Sequence, residues 1–179
     1  MHTADILEEH VILLDEAGRE IGTAPKHSMH GADTSLHLAF SCYVFNPRGE
    51  VLVTRRALSK RTWPGVWTNS FCGHPLPAEP LPTAVTRRAR FELDLDIRGI
   101  DVALPLFRYR ATDSSGTVEN EICPVYLSTT TDEPNPNPDE VMEYRWTDPA
   151  ALRTAVCNAP WAFSPWMVLQ VQELESFRA

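Results

Sequence analysis

Apolar residues fall along the chain in short runs divided by turn-forming clusters, and the runs change period about halfway through. Val11 to Leu14, then Asp15-Glu16-Ala17-Gly18, then Glu20-Ile21-Gly22 predict an opening β-hairpin. Leu36 to Phe45 and Glu50 to Thr54, on either side of Asn46-Pro47-Arg48-Gly49, predict a second one. Phe71 to Thr83 is rich in proline and glycine and reads as irregular. Thr83 to Leu93 then places Ala84, Val85, Ala89 and Leu93 on one face with arginines between them, the pattern of a short amphipathic helix, and Pro82 is tolerated near its start. Leu104 to Arg110 and Glu119 to Ser128 read as strands around Asp113-Ser114-Ser115-Gly116, and Tyr144 to Thr147 as a further short strand. Pro149 to Ala155 and Trp166 to Phe177 read as helices. Residues 131 to 140, with three prolines, read as an exposed acidic loop to which no chemistry is assigned. This order of elements predicts one domain, an α/β sandwich with a mixed or antiparallel sheet.

Composition narrows the function classes. A net charge of −8 with only short, scattered basic pairs leaves no extended footprint for nucleic acid, although local cations or metal ions can still hold a small anion. The longest apolar run near the start, Val11 to Leu14, is too short for a signal peptide or membrane helix, so a cytoplasmic protein is expected. Cys42, Cys72, Cys123 and Cys157 form no CxxC pair, which argues for reduced thiols.

Some residues could carry chemistry, each with a plainer reading beside it. In Cys72-Gly73-His74-Pro75 the thiol is either exposed and tuned by a nearby cation, or a small buried cysteine beside a loop histidine. Glu119 and Glu121, two apart in a strand, point to the same face and could converge on one ion, or could be a solvated face. Arg88 and Glu92 could be an ordinary i,i+4 pair. Trp166 could be a core aromatic, the reading preferred for Trp146 and Trp161, and Lys60 a plain surface lysine.

From Gly73 the chain runs through Glu79 and Arg87 to Glu92 with a spacing that resembles the Nudix box, whose carboxylates hold divalent cations against a diphosphate. The match is partial. Arg88, Phe91 and Asp94 stand where Nudix hydrolases usually have glutamate, glutamate and glycine, so a hydrolase of a diphosphate-containing substrate, or a non-catalytic binder, is the weaker reading. Those departures, with Thr68 to Pro75, His37 to Ser41, Thr54 to Lys60, Trp63 to Trp67, Phe107 to Ala111, Val118 to Glu121 and Ala162 to Met167, closely resemble the type I isopentenyl diphosphate isomerases, in the family's order over about residues 11 to 170.

The resemblance implies a Nudix-type α/β/α sandwich with a mixed sheet over residues 1 to 179 as a single domain. It implies one Zn²⁺ or Mn²⁺ (or Mg²⁺) held by residues matching His30, His37, His74, Glu119 and Glu121. A Mg²⁺ brought by the substrate would meet Glu92 and a backbone oxygen of Cys72, and Lys26, Arg56, Lys60 and Arg88 would hold the diphosphate. Cys72 and Glu121 are implied as the two proton-transfer groups, with Tyr109 assisting Glu121 and Trp166 facing the carbocation. The expected partner is a small prenyl diphosphate, with no nucleic acid and no stable membrane association; monomer and homodimer both stay open.

Overall fold

The computed structural model describes residues 9 to 29 and 31 to 178, with Ser28 described by its backbone alone. In chain order the elements are β1 (His10–Leu14), β2 (Glu20–Pro25), α1 (Lys26–Met29), β3 (His37–Leu38), β4 (Phe40–Phe45), β5 (Val51–Arg56), β6 (Trp67–Thr68), β7 (Phe71–Gly73) and α2 (Leu81–Leu93). Then come β8 (Arg98–Leu104), β9 (Arg108–Thr112), β10 (Val118–Ile122), β11 (Val125–Thr129), β12 (Val141–Thr147), α3 (Pro149–Asn158) and α4 (Pro165–Glu173). One sheet runs β2-β1-β3-β10-β9; the other runs β12-β5-β4-β11-β8, with β6 on β5 and β7 on β4. Both sheets are mixed, because β3–β10 and β4–β11 pair in parallel and the remaining pairs are antiparallel.

The second sheet is the middle layer of the sandwich, and its strand alternation shows why. On β4, Phe40, Cys42 and Val44 face Ala84, Val85, Ala89 and Leu93 of α2. Tyr43, between them, faces the other way, into Leu152 and Val156 of α3 and Met167 and Val171 of α4. Period-two side chains on a strand buried on both faces demand apolar residues at nearly every position. Among the described residues no helix is long and apolar enough to cross a membrane.

Three of the predicted strand runs break at the same place in the architecture. The run from Leu36 leaves the first sheet at Leu38 and enters the second at Phe40; the Glu119 to Ser128 run leaves at Ile122 and enters at Val125. The expected Leu104–Arg110 strand is centred on a turn, so Arg98–Leu104, which the periodicity missed, belongs to the second sheet and Arg108–Thr112 to the first. The bends are held by hydrogen bonds from the Ala39 N–H to the Ile122 carbonyl (3.0 Å) and from the Cys123 N–H to the Phe107 carbonyl (2.8 Å). A single hydrophobic run cannot reveal that its two halves pair in different sheets, since each half keeps its own period of two.

Other boundaries also moved. Phe71 to Gly73, expected to be irregular, is β7, because its backbone pairs with Phe40 to Cys42. β4 and β5 are hairpin neighbours only at Phe45 and Val51 before β6 and β7 take up their edges. Helix α2 begins at Leu81 with Pro82 in its first turn, α3 reaches Asn158, and α4 ends at Glu173 before a 3₁₀ turn over Glu175–Phe177. Trp161, expected in the core, is 84% exposed, while Trp146 is partly buried against the α2 side of the sheet. The 131 to 140 loop is not simply exposed: the N–H groups of Asn135 and Asn137 cap the Leu93 and Glu92 carbonyls at the end of α2, each at 2.9 Å.

Asp94, the departure from glycine, closes α2 in the left-handed conformation (φ 55°), its N–H bonding the Arg90 carbonyl at 3.0 Å while the Leu95 N–H reaches the Ala89 carbonyl at 3.3 Å. Aspartate tolerates this region at a cost that glycine avoids. Asp94→Gly is therefore expected to stabilise the fold by about 1 kcal/mol, read as a higher urea midpoint at unchanged slope. A lower midpoint would show that the 3.3 Å bond from Asn135 to the Asp94 carboxylate outweighs the backbone strain.

Candidate functional site

Sheet register builds the centre of the site. Glu121 on β10 is the parallel partner of His37 on β3 and the antiparallel partner of Tyr109 on β9, so the three side chains stand in a row on one face. His74, directly after β7, approaches the same carboxylate from the second sheet. The Nε2 atoms of His37 and His74 lie 3.3 and 3.1 Å from Glu121 Oε1, and the Tyr109 hydroxyl donates to Oε2 at 2.8 Å.

One oxygen and two imidazole nitrogens within 4.8 Å of one another can hold a metal ion. The tautomer supports that fit. His37 Nδ1 lies 2.9 Å from the Ser35 carbonyl, which can only accept, so Nδ1 carries the hydrogen and a neutral ring turns its Nε2 lone pair toward Glu121. A lone pair facing a carboxylate oxygen calls for a proton or a cation between them. Burial alone would raise the Glu121 carboxyl, but the hydrogen bonds from His37, in its protonated form, and from His74 hold it well below the ordinary range. Burial would lower His37, but Glu121 raises it above its usual value; His74 is pushed down to about 3, chiefly by burial.

Of the other expected ligands, Glu119 lies two residues along β10, buried, with Thr62 donating to its Oε1 at 2.9 Å. It lines the same cavity but stands apart from the close three-atom group. His30 lies outside the described residues.

The cavity has a volume of about 590 Å³, and its lining joins Glu121, Tyr109 and His74 of this centre to Cys72 and Trp166 and to the cations Lys26, Arg56, Lys60 and Arg88. All four expected diphosphate cations are thus brought together, though each already has partners. Arg56 spans from Nε and Nη2 to the Thr62 carbonyl at 3.0 and 2.8 Å and lies 5.3 Å from the centre of the Trp166 ring. It also reaches the carbonyl of Trp63, at 3.2 Å, a residue whose backbone sits at the unusual φ of 43°. Lys26 pairs with Glu9 at 2.6 Å, Lys60 with Glu140, and Arg88 with Glu92, with Glu140 3.5 Å from Arg88. Glu140 ends the acidic loop that sequence reasoning set aside.

The Nudix-like segment works as a brace. Arg87 grips Glu79 through Nε and Nη2, both at 2.8 Å, and donates to the His74 carbonyl, fixing the loop that carries His74. A Cβ on Gly73 would lie 2.7 Å from Arg88 Cγ and 2.9 Å from the Phe40 ring, so only glycine admits Arg88 at this depth. Phe91 offers no carboxylate; its ring lies 4.8 Å from the Arg88 guanidinium. Glu92 is buried against Arg88 and is absent from the cavity lining.

Cys72 faces Ser41 across the β4–β7 ladder, and burial pushes its thiol up to about 11, so it is a neutral thiol at pH 7. Its Sγ donates to Asn69 Oδ1 at 3.1 Å and lies 3.4 Å from Ser41 Oγ. Trp166 packs edge-on against Trp63 (5.4 Å) and tilted against Tyr109 (5.7 Å). Asn69, Ser41, Gln170, Thr62 and Glu140 were not among the expected site residues. Gln170 was findable, as a polar residue on the apolar face defined by Trp166, Met167, Val171 and Leu174; Asn69 lay inside a conspicuous motif but gave no periodic signal.

The NUDIX domain family model matches residues 35–167. A protein named isopentenyl-diphosphate Delta-isomerase from Agromyces mediolanus is 68% identical over 166 residues, covering 93% of this chain and 81% of that protein. One of the same name from Citrobacter koseri is 56% identical over 165 residues, covering 92% and 91%. Among solved structures, DR0079 from Deinococcus radiodurans aligns with a TM-score of 0.70 at 21% identity, over 93% of this chain and 99% of that one. A MutT protein from Methanosarcina mazei Go1 aligns at 0.63 and 19% identity, over 76% and 91%. At such identities the likeness concerns the fold.

Replacing either imidazole, His37→Ala or His74→Ala, is expected to lower the divalent metal held per chain, because two of the three converging atoms are theirs. Elemental analysis of the purified variants checks this; undiminished metal in His74→Ala would remove that residue from the set.

Proposed function

Because the chain belongs to the NUDIX domain family and, within it, to the isopentenyl-diphosphate Delta-isomerases, we propose that it interconverts isopentenyl and dimethylallyl diphosphate, for isoprenoid biosynthesis, as one domain over residues 1 to 179. The observation that carries this reading is one cavity lined by a thiol, a carboxylate with its tyrosine, an indole face and four cations.

The chemistry needs these groups together. The substrate alkene is unactivated, so a base alone cannot begin the shift. Protonation of its terminal carbon gives a tertiary carbocation, and loss of a proton from the neighbouring methylene gives the allylic product, with no net change in atoms. Cys72 and Glu121 are the two transfer groups, on opposite faces of the carbon chain, and Tyr109 assists at Glu121 through its 2.8 Å bond. The Trp166 face favours the cation by about 2 kcal/mol or more once water is excluded. Water must stay out, since it would trap the cation as an alcohol.

Lys26, Arg56, Lys60 and Arg88 hold the diphosphate, and Glu9 and Glu140 yield to it, since one anion replaces another on the same ammonium and guanidinium groups. A divalent ion held by His37, His74, Glu121 and Glu119, with His30, would be Zn²⁺ or Mn²⁺ (or Mg²⁺) and would orient the carboxylate and tune its acidity. A Mg²⁺ accompanying the diphosphate would be met by Glu92 and the Cys72 backbone oxygen. Four free thiols suit a reducing compartment, in keeping with a cytoplasmic enzyme that takes a small prenyl diphosphate and neither nucleic acid nor stable membrane attachment. Hydrolysis fits less well, because Arg88 and Phe91 occupy positions where the hydrolytic cluster has carboxylates.

Incubation with isopentenyl diphosphate and Mg²⁺ in D₂O, followed by NMR, tests the reading: deuterium-labelled allylic product is expected, and phosphate release instead would sink it. In the same assay Cys72→Ala is expected to keep metal and fold while losing turnover, whereas Glu121→Gln loses turnover and metal together. Cys72→Ala activity within about tenfold of wild type would leave only about 1.4 kcal/mol of barrier on the thiol, too little for an obligatory transfer. Lys60→Ala is expected to weaken substrate binding by about 1.5 to 3 kcal/mol with folding little changed; an unaltered KM would show that Lys60 does not touch the diphosphate.

A further inference from the structure

Asn69 lies fully buried between β6 and β7, and its amide is fixed at both ends. Its nitrogen donates to the Cys42 carbonyl at 3.1 Å and the Phe71 carbonyl at 2.7 Å. Its oxygen accepts from three donors: the Thr68 hydroxyl at 2.9 Å, the Cys72 thiol at 3.1 Å and the Trp166 indole N–H at 2.9 Å. Carbonyls only accept and the indole nitrogen only donates, so the amide has a single allowed orientation. Flipping it would set oxygen against two carbonyls and N–H against N–H.

We propose that Asn69 is a positioning residue for the isomerisation: one carbonyl oxygen sets both where the Cys72 hydrogen points and how the Trp166 indole is turned. This rests on the reading that Cys72 transfers a proton and Trp166 faces the cation. The neighbouring hydroxyl does not do the same work. Ser41 Oγ accepts from Gln170 Nε2 at 2.9 Å and has two sulfurs, Cys72 and Cys123, each at 3.4 Å, between which its own hydrogen chooses. Among the described residues the indole N–H has no other hydrogen-bond partner, and the ring contacts to Trp63, Tyr109 and Arg56 restrain its tilt without fixing its rotation in plane. Asn69 therefore ties the proton-transfer group on β7 to the aromatic face on α4, two elements 94 residues apart in sequence, at one atom. With the thiol hydrogen drawn to Asn69, a turn about the Cys72 Cβ–Sγ bond presents it to the substrate, and the amide receives it again when the transfer reverses.

The test is Asn69→Ala, assayed with isopentenyl diphosphate and Mg²⁺. Misplacing both groups is expected to lower kcat about a hundredfold while KM stays within about threefold, because Asn69 bonds none of the four diphosphate cations. Metal content should be retained. The Trp166 indole N–H resonance, assigned by its loss in Trp166→Phe, should move and exchange with solvent faster even without substrate. An unmoved resonance overturns the proposal, as does kcat within about threefold of wild type. Equal losses in kcat, KM and metal content overturn it too, since that is what a merely structural amide would produce. If Asn69→Ala does not fold, Trp166→Phe decides. It keeps an aromatic face but removes the hydrogen bond, and is expected to lower kcat about tenfold at unchanged KM; wild-type kcat in it overturns the proposal. A wild-type protein that fails to isomerise the substrate would defeat the proposed function alone, and the indole resonance in Asn69→Ala would still settle whether Asn69 orients the ring.

Discussion

A carboxylate taken out of water tends to neutralise itself unless it is paired, and Glu121 is held charged inside this protein by partners from three directions. His37 and Tyr109 reach it because their strands flank β10 in register, and His74 because β7 ends against β4. The bends near Ala39, Phe107 and Cys123 matter for this reason. They let one sheet carry the carboxylate row while the other, buried between helices, carries the thiol and the loop histidine. Were the three runs straight, the two halves of the site would lie on one sheet with no cavity between them.

Two sets of charge line that cavity. Glu119, Glu121 and His74 suit a cation; Lys26, Arg56, Lys60 and Arg88 suit an anion. The two sets meet at the Thr62 hydroxyl, which accepts from Arg56 and donates to Glu119. A chain of net charge −8 can maintain the second set because Glu9, Glu92 and Glu140 stand against those cations at close range. Local pairing at a few ångströms outweighs a diffuse excess screened by solvent. The Nudix-like segment serves this arrangement as scaffold: Glu79 and Arg87 lock the His74 loop, while Gly73 and Phe91 admit and stack Arg88. The same loop and helix that present carboxylates in a hydrolase here present a buried arginine.

What the sequence by itself determined was local. The amphipathic face of α2, the opening hairpin and the two last helices follow from period and turn chemistry, which neighbouring residues dictate. The motif from Thr68 to Pro75, read with the other matching stretches, pointed to Cys72, His74, Glu121, Tyr109, Trp166 and the four cations, and the fold gathers these residues around one cavity. Tertiary structure alone decided the rest. It split Leu36–Phe45 and Glu119–Ser128 between two sheets, since a strand's period does not name its partner. It turned Trp161 outward and drew Glu140 from an acidic loop onto Lys60 and Arg88. And it made Asn69 the meeting point of a thiol and an indole 94 residues apart, because a hydrogen bond between distant segments leaves no spacing in the chain to be read.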